Sequence, residues 1–297
     1  MVSSIPNMLK YFDTILQKGL QPEAWEWLTG ISSKIKSGES KSVFFSAFTA
    51  IPRHTGKSFI SFTDEEKDAI NELSPGFQIQ NYTIDRLARL WLILQFPSDE
   101  KTTYLNTIGQ LFKAAEMNEL VALYGALPLL SYPEEWVKQC AEGIRSNIGV
   151  ILEAIMCDNP YPSKYLDQQA WNQLVLKAFF TEKQVNRIVG LDERANKELA
   201  YILSDYAHER WAAHRMVDPL LWRLTQKFID ERIFADLKKV FETGSSVEKN
   251  AAALACYLSE YFPAELLLDK DPKLKSALEN GQITWDSVAH PTQINSI

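Results

Sequence analysis

The feature that most limits what this chain can fold into is its punctuation. Short links rich in proline, glycine and asparagine recur along it: Gly19-Leu20-Gln21-Pro22, Ser74-Pro75-Gly76, Asp158-Asn159-Pro160-Tyr161-Pro162 and Val217-Asp218-Pro219. Between them, apolar residues fall at helical spacing over segments of roughly 12–18 residues, and no run alternates apolar and polar residues between turn dipeptides. This predicts an all-α chain. The rhythm suits an irregular, α-solenoid-like, HEAT-like array of many helices better than one four-helix bundle. No link is long or polar enough to separate independent domains, so residues 1–297 are expected to form a single body. Helices should continue through 226–289, and 290–297 reads as a loose tail.

Individual segments follow from the same signals. Helices are expected at 7–19 and 22–36, where Trp25 and Trp27 cannot share a face, leaving one exposed or at a contact. Residues 41–51 (KSVFFSAFTAI) read as a buried helix, with a loop from Pro52 to Phe62. Thr63 opens a helix whose first turn holds Asp64, Glu65 and Glu66. Thr83 caps IDRLARLWLILQF, with Leu87, Leu90, Trp91 and Leu94 as its buried stripe. Further helices are expected near 167–180, 219–242, 246–260 and 271–280, with Thr284 capping a last turn.

The densest collection of polar, aromatic and ionisable residues is Leu191 to Arg223. Asp192 reads as the N-cap of a long helix, and Val217-Asp218-Pro219 as a stop followed by a new cap. At 100° per residue Tyr201, Asp205, His208, Ala212 and Arg215 share one stripe, with Glu209 at its edge. Leu199, Leu203, Tyr206 and Ala207 fall on the other side. The stripe suits either an internally paired helix face or the wall of a polar pocket. In the pocket reading it faces the 158–172 segment, which offers Asn159, Tyr161, Trp171 and Asn172. Arg86 and Arg89, three apart, suit either a clamp for a carboxylate or phosphate or pairing with acids of a neighbouring helix.

Composition excludes several classes. A net charge of −7 and a pI of about 5.3 argue against nucleic acid as a partner. No apolar run approaches the ~18 residues of a membrane span, and the N-terminus lacks a secretory pattern, so a cytoplasmic protein is expected. Cys140, Cys157 and Cys256 are widely spaced and read as small buried hydrophobes in a reducing compartment. Thr55-Gly56-Lys57-Ser58 resembles the end of a phosphate loop, but Ile51 stands where its first glycine belongs. His208-Glu209 begins a zinc-helix motif, but Ala212 replaces its second histidine. No catalytic nucleophile, metal set or cofactor loop is therefore assigned.

Several blocks, in order, carry a family resemblance: Ile84–Arg89 (IDRLAR), Glu116–Tyr124 (EMNELVALY), Ala126–Leu130 (ALPLL) and Asp158–Pro162 (DNPYP). They continue with Ala170–Ala178 (AWNQLVLKA), Gly190–Asn196 (GLDERAN), Asp205–Ala213 (DYAHERWAA), Arg215 and Leu221–Arg223. Over about residues 40–225 the chain resembles the EboA family of helical metabolite traffic proteins. His214 stands where that family's pattern calls for glycine or another small residue, and it is assigned no role. The resemblance implies a gene neighbourhood with a UbiA-type membrane prenyltransferase, a TatD-like hydrolase, a sugar-isomerase-like barrel and a dehydroquinate-synthase-like cyclase. It implies a non-enzymatic carrier or adaptor for a small-molecule metabolite, prenylated or a precursor of such, moved towards the membrane and periplasm. The prenyltransferase or other proteins of that neighbourhood are the implied partners. The alternative is an unrecognised enzyme of the same pathway using an Asp/His/Arg pocket.

Overall fold

The computed structural model describes residues 5–291, so most of the expected tail lies outside the described residues. The chain is all-α: among the described residues regular structure is helical, and β pairing is confined to isolated bridges such as Phe59 with Thr83. Two compact units are formed, residues 1–170 and 171–297. None of the helices is long and apolar enough to cross a membrane, among the described residues.

The first unit contains α1 (Ile5–Gly19), α2 (Pro22–Lys36), α3 (Lys41–Thr55), α4 (Asp64–Leu73) and α5 (Ile84–Gln95). It continues with α6 (Lys101–Ala114), α7 (Met117–Ala126), α8 (Val137–Ile144), α9 (Gly149–Met156) and α10 (Tyr161–Tyr165). The division falls inside α11 (Gln168–Phe180). Helix α5 is the centre of this unit, with α1, α2, α3 and α7 packed around it. A helix enclosed on all sides cannot keep a polar face, and all of α5 except Arg86 and Leu94 is buried. The expected stripe is thereby widened to nearly the whole circumference, and Leu94 is its half-buried member. Trp91 donates to Asp13 Oδ1 at 2.5 Å and meets Trp25 at 5.7 Å between ring centres. Trp27 stacks on His54 at 3.8 Å, so both tryptophans of α2 are at contacts.

One boundary differs from the sequence reading for an identifiable reason. Helix α3 does not stop at Pro52 but runs on to Thr55. Proline has no N–H, so the carbonyl of Phe48 one turn earlier loses its helical donor. Arg89 Nε of α5 donates to that carbonyl at 3.2 Å, which satisfies the group the proline orphans. The Asp158–Pro162 link is an ordered turn, with Asn159, Pro160, Tyr161 and Pro162 buried, and it leads directly into a helix. Asp158 takes a left-handed φ of 55°, and Pro160 and Pro162 enter only the first turn of α10, where a missing N–H costs nothing.

The second unit holds α12 (Lys197–Ala212), α13 (Glu231–Thr243), α14 (Ser246–Tyr257), α15 (Phe262–Leu268), α16 (Pro272–Glu279) and α17 (Trp285–Ala289). Its core is α14, whose small residues Ala251, Ala252, Ala253 and Ala255 let α13 and the 219–224 segment approach closely. That segment is a 3₁₀ helix capped by Asp218, which accepts from Leu220 N at 2.9 Å; the α-helix expected over 219–242 begins only at Glu231. Helix α15 falls where a gap between helices was expected.

Candidate functional site

Each end of α12 revises the polar stripe read from the sequence. The N-cap is Asn196, which accepts from Leu199 N at 3.0 Å, and not Asp192. Asp192 instead receives both arms of Arg223, at 2.7 Å from Nε and 2.5 Å from Nη2. A fork-to-fork pair of this kind outweighs a single capping bond. Trp171 is fully buried, with Arg194 over its ring, and its neighbour Asn172 accepts from Asn196 Nδ2 at 2.9 Å. Asn172 thus braces the cap of α12.

At the other end the helix stops at Ala212, three residues short of Arg215. The His214 N–H bonds Trp211 O at 3.0 Å and the Arg215 N–H bonds Arg210 O at 2.8 Å. This pair of bonds is the Schellman C-cap, which requires a left-handed residue at its centre. His214 supplies it with φ 54°. Arg215 is therefore off the helix, exposed, and not on the stripe.

The remaining polar stripe meets α13. Tyr201 donates to Asp230 Oδ2 at 2.5 Å, Asp205 pairs with Arg232, and His208 Nε2 lies 2.5 Å from Asp236 Oδ1. Ser204 donates to the other oxygen of Asp236 at 2.6 Å. Asp236 is 5 % exposed, so both its oxygens are satisfied within α12. The carboxylate stands between hydroxyl and imidazole, so Ser204 and His208 each bond Asp236 rather than each other. Lys239 covers the Trp211 ring at 3.9 Å, and Trp211 stacks on Trp222. Glu209 is exposed. Leu199, Leu203 and Ala207 are buried on the opposite face, and Tyr206 is half-buried.

Asn159 and Tyr161 are committed within the first unit. Asn159 Nδ2 donates to Tyr124 O and Ala154 O at 3.1 and 2.9 Å, and its Oδ1 accepts from Tyr161 N at 3.0 Å. Tyr161 is fully buried and donates to Pro133 O at 2.5 Å. Burial pushes its phenol, like that of Tyr82, above the ordinary tyrosine range.

Arg86 and Arg89 part company. Arg86 sits over Tyr82, with Cζ 3.6 Å from the ring centre, in space left by Gly125; a Cβ there would sit 2.6 Å from Tyr82 Oη and 2.7 Å from Arg86 Nη2. Arg89 is 4 % exposed and pairs with Asp85, 5 % exposed, through Nη1 to Oδ2 at 2.8 Å. This acid lies on the same helix rather than a neighbouring one. With Nε on Phe48 O, the guanidinium is fixed from two sides. Its Nη2 makes no hydrogen bond among the described residues, yet is not sealed from solvent.

Arg89 forms part of the wall of a cleft of about 400 Å³, a volume in the range of small-ligand sites. Pro52 and Arg53 of α3 and Lys57 beyond it form one side, and Glu116 and Glu119 at the start of α7 another. Arg53, Lys57 and Glu116 are exposed at the rim. Glu119 is 7 % exposed and accepts from Glu116 N through Oε2 at 3.0 Å. The sequence reading did not group Arg53, Lys57, Glu116 and Glu119 as the lining of one cleft. The signals were present in Thr55-Gly56-Lys57-Ser58 and in the Glu116–Tyr124 block. A second recess of about 410 Å³ between α1 and α4 has Lys10 and Glu72 at its walls but no buried charged group. Among the described residues no three His, Cys, Asp or Glu side chains converge at one point.

Fold and cleft together define an all-α protein with a charge-lined recess built on a buried arginine. The family model described as "Metabolite traffic protein EboA" matches residues 8–226 of the 297. The chain therefore belongs to the EboA family, whose general role is metabolite traffic. No curated protein and no solved structure matches it.

Proposed function

We propose that this chain is a non-enzymatic carrier or adaptor that holds a small metabolite in the cleft between α3, α5 and α7. The observation that carries the reading is Arg89. Its guanidinium is buried and oriented by Asp85 and the Phe48 carbonyl, yet keeps Nη2 open. A donor fixed before binding costs a ligand little ordering entropy. The metabolite is cytoplasmic, a prenylated compound or its precursor, and is presented to a membrane partner such as a UbiA-type prenyltransferase. The Asp205/His208 stripe serves in this reading to fasten α12 to α13.

The test is to purify the protein from cells that make the pathway's product and extract its small molecules for mass spectrometry. One dominant compound, returned chemically unchanged after prolonged incubation with the protein, is expected. Conversion of that compound by the purified protein would replace the carrier reading with an enzymatic one.

A further inference from the structure

The walls of the cleft differ in sign. Arg53 and Lys57 bring positive charge on the α3 side, and Arg89 adds open donors of the same sign. Glu116, the N-cap of α7, and Glu119 in its first turn bring negative charge, within a capping box. Glu119 is nine-tenths buried, and only its Oε2 is engaged by the backbone, leaving Oε1 without a hydrogen bond among the described residues. Arg89 and Glu119, each buried and each with one terminal atom unengaged among the described residues, therefore line one recess. A purely anionic ligand would satisfy Arg53, Lys57 and Arg89 but be repelled by both glutamates. A purely cationic one meets the reverse problem. Only a molecule carrying both signs pairs with both walls.

We infer that the cleft recognises an amphoteric metabolite, one bearing a carboxylate and a protonated amine a few bonds apart, as in an amino acid or a derivative of one. This rests on the carrier reading above and narrows its ligand. The carboxylate takes Arg89 Nη2 with Arg53 and Lys57 at its flank, and the ammonium takes Glu119 Oε1 and Glu116. The remainder of the molecule lies against Pro52 and the aliphatic stems of the rim side chains.

Matched probes separate charge from shape. Phenylalanine is compared with 3-phenylpropionate and phenethylamine, and leucine with 4-methylpentanoate and 3-methylbutylamine, by isothermal titration calorimetry. Each amino acid is expected to bind roughly tenfold more tightly than either of its single-charge analogues, the factor that one extra charge-assisted contact supplies. Glu116→Gln should lower amino-acid affinity while leaving the acids unchanged or tighter. The double variant Arg53→Gln/Lys57→Gln should weaken the acids and leave the amines unaffected. All three positions are exposed, so unchanged melting midpoints verify the fold.

Acids that bind as well as the amino acids, and lose affinity in the double variant, would overturn the amphoteric inference and leave the carrier reading standing. Absence of binding by every probe at about 10 mM, a limit weaker than a useful carrier affinity, would overturn the inference as well. The copurification experiment then decides the carrier reading by itself.

Discussion

Arg89→Met is the most exacting test of how the first unit is built. The substitution keeps much of the side-chain volume and removes the charge. Asp85 would lose its 2.8 Å partner while buried, and its Oδ1 already has no hydrogen bond among the described residues. The Phe48 carbonyl would lose the donor that replaces the missing Pro52 N–H. An ionised carboxylate left without a partner in a packed helix costs ~3–5 kcal/mol. The orphaned carbonyl adds ~1 kcal/mol or more. Removing both charges in Asp85→Leu/Arg89→Met should recover most of the loss, because an apolar pair of similar volume needs no desolvation. A coupling of at least ~2 kcal/mol between the two sites is expected. Urea unfolding followed through tryptophan emission suits the assay, since Trp91 lies on the same helix. A single variant less than ~1 kcal/mol below the wild type, or a double variant less stable than the single, would refute the argument that the pair is buried and mutually dependent.

Three further outcomes follow from the geometry. His208→Ala deprives the buried Asp236 of one of its two partners and should cost ~1–2 kcal/mol in thermal unfolding of the second unit; an unchanged midpoint would show that α12 and α13 are not joined there. His214→Gly places a residue without Cβ at a φ of 54°, so denaturant titration should show stabilisation of up to ~1 kcal/mol, and destabilisation would contradict the Schellman assignment. Burial raises the Cys140 and Cys256 thiols to about 12, so in the folded protein the nucleophilic thiolates form only as pH rises towards that value. Labelling with iodoacetamide at mildly alkaline pH should then track global unfolding, and rapid labelling of native protein would contradict the burial.

The helical class was legible because proline and glycine links and 3.6-residue spacing are local properties. Capping was legible where side chain and backbone lie within one turn. Thr63 with Glu66 closes a capping box as the sequence suggests, and Thr284 with Ser287 closes another. What escaped depended on partners distant in sequence. Pro52 reads as a helix stop unless one knows that Arg89, thirty-seven residues later by subtraction of the two positions, donates to Phe48. Asp192 reads as a cap until Arg223 is placed beside it. Asp236 stood in a segment without a family motif, so the sequence could not decide between a paired stripe and an open one. Arg89 was legible as an anion-binding candidate, but its companions Arg53, Lys57, Glu116 and Glu119 come from two other helices and a turn, and periodicity within one helix cannot bring these together.

Occupancy of the Arg89 cleft by a metabolite is what the carrier reading depends on. Mass spectrometry of the intact protein under non-denaturing conditions tests it most directly, with wild type and Arg53→Gln/Lys57→Gln purified in parallel from cells making the pathway's product. A bound mass is expected on the wild type and should be lost, or much reduced, in the variant at equal stability. A bound mass retained undiminished by the variant, or absent from both proteins, would contradict that occupancy.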